Sequence, residues 1–348
     1  MLTADKTLSR IVAVDLADQT DGTMHLCLAF AAYVRASGDG AFASRWYIFV
    51  QRLLNHYVSP GAKLAANGAV PYFNATLNLL FNPNLEHSRC GVYWSTYDVL
   101  TNAFAAEALR GMAAIAAAEG DARQAAAWER TRAALLAGLS SALSYASANE
   151  THGASIFAEL VGEPHSWWPG SANAWPPGNR TFQAPPAAIW GLSFVNTAVA
   201  GAFFRVLGGS RDAPAAAGLD IQRLAATRDT YRRLGSFLWT TDDVRFSALV
   251  SSTHVNASVY AAEDRAVIVK ALGWELAWAA YSNDTLRVLT LGRWLGFAAS
   301  GNLSLPAESY FYDCMRLHQE NCYGDPGNGE QTGWFVWGAA LARRAVGL

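Results

Sequence analysis

The stretch TYDVLTNAFAAEALRGMAAIAAAEGDARQAAAWERTRAALLAGLSSALSYAS, residues 96–147, decides the fold. Its first half is apolar on nearly every side from Ala103 to Ala118. A helix of that kind must be covered all round. Its second half is one-sided: Trp128, Leu135, Leu136, Leu139 and Leu143 fall at helical spacing against Arg123, Glu129 and Arg130. Gly120 stands between the halves. The periodicity predicts two helices, 96–119 and 121–147, joined by a tight turn, the first interior and the second flanking it.

Working outward, the same pairing recurs. Further helices are expected at 22–37, 41–58, 185–207, 219–238, 259–282, 284–299 and 328–346. The helix at 41–58 sets Trp46, Phe49, Val50, Leu53, Leu54 and Tyr57 against Arg45, Gln51, Arg52 and His56. That at 219–238 sets Ile221, Leu224, Tyr231, Leu234 and Leu238 against Arg223, Arg228 and Arg232. By contrast, Leu26–Val34, Ala187–Phe204 and Val267–Ala280 are apolar nearly all round. The links Gly38-Asp39-Gly40, Gly120 and Asn283 are short, and 208–218 is modest. Those at 59–95, 148–184, 239–258 and 300–327 are long, and loops of that length usually carry function. Hairpins tied tightly at one end put their long loops at the other.

Two concentric rings satisfy this pattern, with all-apolar helices inside and one-sided helices outside. The expected fold is an all-α (α/α)6 toroid, with a plain face and a mouth lined by the long loops. Such a toroid needs twelve helices, and about nine are read here. The expectation is a single catalytic domain over 1–348, N-terminally incomplete and lacking about the first three helices. An open solenoid is the rival, and it would show a repeat of fixed period. None is found.

Composition narrows the class. With 52% hydrophobic and 16% charged residues, the chain of 348 can bury a large core. A formal net charge of −2 gives no basic balance for nucleic acid. Ala184–Phe204 is uncharged and long enough to raise a membrane reading, but Pro185, Pro186, Asn196 and Thr197 and the lack of anchoring flanks favour a buried helix. Met1–Asp5 is no secretory start. Sequons at Asn74, Asn149, Asn179, Asn256, Asn283 and Asn302 fall in predicted loops or at element edges. They point to a secreted or lumenal glycoprotein whose signal lies outside this sequence. Cys314 and Cys322 share one loop and are near enough to pair, Cys27 reads as a buried thiol, and Cys90 is unassigned. No spacing suits zinc, and no cofactor is required. Oligomeric state is not legible.

The long loops hold what a sugar site needs. Aromatic rings stack on pyranose faces, while carboxylates and Arg bond hydroxyls. Tyr93, Trp94, Trp167, Trp168, Trp175 and Tyr310 are there, with Asp18, Asp21, Glu86, Arg89, Glu308 and Asp313. Glycoside hydrolysis needs two carboxyl groups across the scissile bond, one to protonate the leaving oxygen and one to activate water. The bland alternatives are loop packing for the aromatics and surface charge or helix caps for the acids.

The segment NLEHSRCGVYWSTYDVLTNAFAAEALRGMAAIAAAEG (84–120) resembles the six-hairpin glycosidases, above all glycoside hydrolase family 63 and the trehalase-like family 37. Family 63 has a Leu-Asp-Asn-Ser-Pro-Arg-like segment before an aromatic loop, an Asp and a long Ala/Leu helix. Here Leu85-Glu86-His87-Ser88-Arg89 stands in its place, with Glu for Asp and no Pro. The resemblance implies that Glu86 is the general acid. ESYFYDC (308–314), followed by GDPGNGEQTGWFVWGAAL (324–341), resembles the family's Glu-x-Tyr-Asp segment and final helix, which implies Glu308 as general base. Glu330, opening the last helix, competes for that role, although a carboxylate is also favoured there electrostatically. DLADQTDGTMH (15–25) resembles a subsite loop, making Asp18 and Asp21 candidates for hydroxyl binding; Asp21 is equally placed to cap a helix. Asp98 is a substrate-binding or capping residue, and Asp264 and Arg265 contact substrate or form an ion pair at the start of the 259–282 helix.

What the resemblance implies is an inverting hydrolase of an α-linked gluco- or manno-configured glycoside, its two carboxyls roughly 6.5–9.5 Å apart. The alternatives are an α-L-rhamnosidase-type six-hairpin hydrolase and a non-catalytic helical binding protein. The expected partner is carbohydrate, with no nucleic acid and no membrane.

Overall fold

Three helical joints are built from one device, a left-handed residue followed by a capping aspartate. They belong to a computed structural model that describes residues 20–59, 61–62, 71–86, 93–145, 156–157, 160–165, 266–268, 273, 276, 279–280, 283–299, 309–311, 323–324 and 329–345. Between α1 (Thr20–Ser37) and α2 (Gly40–Val58), Gly38 takes φ 66° and Asp39 Oδ1 accepts the Phe42 N–H at 2.9 Å. Between α3 (Val99–Ala118) and α4 (Ala122–Ser141), Gly120 takes φ 81°, the Asp121 N–H returns to the Ala116 carbonyl at 2.8 Å, and Asp121 Oδ1 accepts the Gln124 N–H at 3.1 Å. Ahead of α5 (Thr285–Ala299), Asn283 takes φ 56°, the Asp284 N–H reaches the Ala279 carbonyl at 2.9 Å, and Asp284 Oδ1 accepts the Arg287 N–H at 3.0 Å. The left-handed residue ends one helix and the carboxylate supplies an acceptor for orphan N–H groups of the next. These are the short links expected from sequence. The last helix, α6, spans Gly329–Ala345. The predicted helices 185–207 and 219–238 lie outside the described residues.

By its contacts the chain divides into two units: Met1–Tyr145 with Phe157–Gln183 and Ala215–Leu219, and Ala146–Ile156 with Ala184–Pro214 and Asp220–Leu348. In the first, α1 and α3 lie side by side and run the same way, as inner helices of a toroid should. His25 stacks edge-on to Phe104 with centroids 4.1 Å apart, and further along a Cβ on Gly111 would stand 2.6 Å from that of Ala31. Thr101–Leu109 of α3 is buried at every position, as its all-round apolar sequence requires. The one-sided α4 turns Trp128, Leu135 and Leu139 inward, and Leu143, just past its end, is buried with them.

Helix α2 is amphipathic and buries Val50, Leu53, Leu54 and Tyr57 as expected, but Tyr47 goes in where Trp46 was expected. Its core residues are Ala43, Tyr47, Val50, Leu53, Leu54 and Tyr57, while Trp46 is exposed beneath the Arg45 guanidinium. Tyr47 goes in because its hydroxyl has a partner. It donates to Asp121 Oδ2 at 3.0 Å, where Gln51 also donates. Asn55 bonds Gln124 and accepts the Trp128 indole N–H at 2.8 Å. A polar seam thus ties α2 to α4, and buried polar groups of this kind need such partners.

The described parts of the connections 59–95, 148–184 and 300–327 include strands. In the first unit these are Phe73–Asn74 (β1), Leu79–Leu80 (β2), Asn82–Glu86 (β3) and Tyr93–Asp98 (β4), then Ser144–Tyr145 (β5), Ile156–Phe157 (β6) at the division between units, and Leu160–His165 (β7). Helix 96–119 was expected to begin inside β4; it begins at Val99, because Thr96–Asp98 pair with neighbouring strands. Helix 121–147 stops at Ser141, whose hydroxyl bonds the Ala137 carbonyl. The hairpin β1–β2 docks on α4: a Cβ on Gly138 would collide with the Asn78 carbonyl. Leu79 joins Val99, Leu139 and Leu143 in one core cluster.

In the second unit Ala266–Ile268 (β8), Ser309–Phe311 (β9) and Tyr323–Gly324 (β10) form an antiparallel sheet in the order β10-β9-β8. The expected helix 259–282 therefore does not run unbroken. Its β-branched Val267 and Ile268 pair with Tyr310 and Ser309, and helical residues follow at Gly273, Leu276, Ala279 and Ala280. Gly338 of α6 packs on the Gly273 backbone so closely that no side chain fits between.

Candidate functional site at the start of the inner helices

The N-termini of α1 and α3 meet the first long connection, and every residue of Leu80-Phe81-Asn82 is held there. Asn102, buried on the first turn of α3, accepts the Leu80 N–H at 2.7 Å and donates to the Leu80 carbonyl at 3.0 Å. Its side chain thus replaces a neighbouring strand. The same amide nitrogen donates to the Asp98 carbonyl at 2.8 Å, so both its N–H groups are used. Phe81 bonds through its N–H to the Tyr72 carbonyl at 2.7 Å, and its own carbonyl accepts the Thr20 hydroxyl at 3.1 Å. Asn82 donates to Thr101 Oγ1 at 3.0 Å and accepts the Thr20 N–H at 3.4 Å. Thr20, Asn82, Asp98, Thr101 and Asn102 are all fully buried.

From this root rises the sheet β3-β4-β7, antiparallel throughout, with β4 at its centre. Both outer strands are bulged. Pro83 and Asn84 stand opposite Ser95 alone, and Gly162, Glu163 and Pro164 opposite Thr96 alone. Proline has no N–H for a ladder, so a bulge is where a strand tolerates it. Past the first bulge, Leu85 pairs with Trp94 and Glu86 with Tyr93. A carboxylic acid residue and two aromatic residues from opposite ends of the segment 86–94 are thus brought to one sheet end. On the other side, Ser95 pairs with His165. Glu163 and His165 were not singled out from sequence. Only the pairing of β7 with β4 brings them to this sheet, and no local pattern announces that pairing.

The candidate residues fall as follows. Glu86 ends β3, Trp94 lies in β4, Tyr310 lies in β9 opposite Val267 and Tyr323, and Glu330 is the second residue of α6. Asp21 lies inside α1 rather than ahead of it, so it is not in the N-cap position. Asp98 is fully buried and caps α3, its Oδ1 accepting the Thr101 N–H at 2.7 Å. Asp18, Arg89, Trp167, Trp168, Asp264, Arg265 and Glu308 lie outside the described residues, as do Cys90, Cys314 and Cys322. Among the described residues there is no cluster of three metal-ligating side chains, and no helix is long and apolar enough to cross a membrane.

Burial sets the electrostatics below the sheet. The Glu107 carboxyl on α3 is pushed above the usual range by desolvation, against the pull of Arg110, which grips it at 2.8 Å, and of Arg132 and Arg35. Tyr97 is raised by burial and tempered by the Asn74 amide, which donates to its hydroxyl at 2.9 Å. Burial alone pushes the Cys27 thiol up to about 12. Glu107 and Cys27 sit in packed interior, and Tyr97 is half-buried at the α3 end of β4.

No family model matches the chain, and no curated protein matches it. A solved structure titled "Crystal structure of D-mannose isomerase" does, with a TM-score of 0.52 and 11% identity over 96% of this chain and 72% of that one. Identity that low establishes fold alone. With the repeated tight joints and parallel inner helices, it makes this chain a mostly helical protein of the (α/α)6 type.

Proposed function

We propose that this chain is a carbohydrate-processing enzyme, an inverting glycoside hydrolase with Glu86 as general acid and Glu308 as the base that activates water. The observation that carries the reading is the β3–β4 pairing, in which Glu86 stands beside Tyr93 and one residue from the Leu85–Trp94 pair. Glu308 directly precedes β9, the central strand of the second sheet. The likeness to a sugar isomerase supports a carbohydrate substrate, and the family resemblance favours an α-linked gluco- or manno-configured glycoside. Trp94, Trp167, Trp168, Tyr310, Arg89, Asp18, Asp264 and Arg265 would line the subsites. A secreted or lumenal setting belongs to the proposal; the exposed sequon at Asn283 supports it.

A second reading, isomerisation of a free sugar, is favoured by the solved structure that the chain resembles. One assay separates them. The protein is incubated with α-glucosides, α-mannosides, α-rhamnosides, trehalose and free D-mannose, and NMR follows the anomer or ketose released. Hydrolysis with inversion, lost by orders of magnitude in Glu86→Gln and Glu308→Gln, is expected. A retained anomer would refute inversion, and ketose from free mannose without hydrolysis would select the isomerase. No turnover of any of them would leave a binding protein.

A further inference from the structure

We propose that Asn82 is a positioning residue, holding the β3 strand at the height where Glu86 meets its substrate; this rests on the hydrolase reading of Glu86. Asn82, the first residue of β3, is fixed to the inner helices. Its amide bonds Thr101 on α3 at 3.0 Å and the first described N–H of α1 at 3.4 Å, and it is fully buried. Its register partner is Thr96, below the bulge, whereas Glu86 lies four residues on and above it. Below Asn82 the chain is secured independently, by Asn102 on Leu80 and by Thr20 on Phe81. Losing the Asn82–Thr101 bond therefore leaves the root in place and loosens the strand above it, which keeps its pairing with β4. The bulge there has one residue without a ladder N–H and one unmatched residue, so it resists displacement poorly. Thr101 in turn is fixed by the Asp98 cap of α3, so the strand height is referred to the start of an inner helix.

A misplacement of about 1 Å at a reacting group can cost roughly a hundredfold in rate. The bond can be cut from either end. In the full chain, Asn82→Ala and Thr101→Val should each lower kcat on the best glycoside of the panel about tenfold to a hundredfold, with KM changed less than about threefold. Thr101→Ser keeps the hydroxyl and should restore kcat to near the wild-type value. Amide exchange should quicken at Leu85 and Glu86 in Asn82→Ala and Thr101→Val while Leu80 stays protected. A merely structural role would lower Tm in these variants and leave the kcat of the folded protein alone.

Glu86→Gln, run in parallel, separates the two claims. If it is inactive while Asn82→Ala and Thr101→Val turn over normally, the positioning role is wrong and the acid stands. If Glu86→Gln is active, the acid assignment is wrong; unchanged exchange at Leu85 and Glu86 would then also remove Asn82's hold on the strand. A wild-type chain inert to every glycoside overturns both.

Discussion

Glu107 is a buried acid with more cations near it than it can use. Arg110 holds both its oxygens, at 2.8–3.2 Å, yet desolvation outweighs the attraction and the pKa is raised. The folded state therefore favours the protonated form more than the unfolded state does. That contribution is complete below the unfolded carboxyl value and is lost as pH climbs through the raised folded value. Glu107→Gln has no such titration. Its Tm should gain on the wild type's as pH rises from acid to neutral, measured by circular dichroism in steps of pH. A gap that narrows with pH would contradict the sign. Cys27 makes a second test at this scale. It is fully buried with its thiol pushed up to about 12, and reactivity follows the thiolate and its access. Iodoacetamide at neutral pH should leave Cys27 unmodified in folded protein and label it in denaturant, as read by peptide mass. Labelling without unfolding would mean that α1 does not pack as described.

The joints give predictions for elements. Asp39 and Asp121 both cap helices, but Asp121 also receives Tyr47 and Gln51 from α2 through its second oxygen. Loss of an aspartate cap costs about 0.5–2 kcal/mol. Taking the acceptor from the half-buried Tyr47 hydroxyl, which keeps only the Gln51 bond of those at this joint, adds about 1 kcal/mol. Asp121→Ala should therefore lower the denaturation midpoint clearly more than Asp39→Ala, and equal losses would mean that the α2–α4 seam contributes nothing. These joints were legible: Gly38, Gly120 and Asn283 interrupt apolar periodicity where a left-handed residue is required. The repeated aspartate was in plain sight too, yet its role as a cap emerges only from its bonds. The strands were not legible. Two-residue strands have no periodicity, and β3 and β7 carry prolines that argue against a strand unless a bulge accommodates them. The pairing of β8 with β9 joins segments about forty residues apart, which no local pattern can announce. Trp46 and Tyr47 occupy neighbouring arcs of α2, and hydropathy prefers the first. The partner waiting at Asp121 decides for the second.

At the scale of the molecule, the readable quantity was which helices need cover on all sides. That follows from composition around the helix axis, so α3 was recognisable as interior and α2 and α4 as flanking. The site was readable only as an inventory of residue types, because loop residues meet through strand pairings of long sequence separation. Of the proposed catalytic pair, the Glu86 neighbourhood gains a framework here, while Glu308 rests on resemblance and its place before β9. The interior helix also has an energetic consequence. Amides exchange through the cheapest opening that exposes them, and an element buried on every side has no cheap opening. Thr101–Leu109 is buried at each position, whereas α2 and α4 each present a wet face. Native-state hydrogen exchange in low denaturant should find α3 among the last elements to open, with a slope matching the largest exposure of surface. The outward residues of α4, such as Arg123, Glu129 and Arg130, should exchange earlier through local fraying. If α3 exchanges as fast as α4, it is not enclosed, and its reading as an interior helix fails with it.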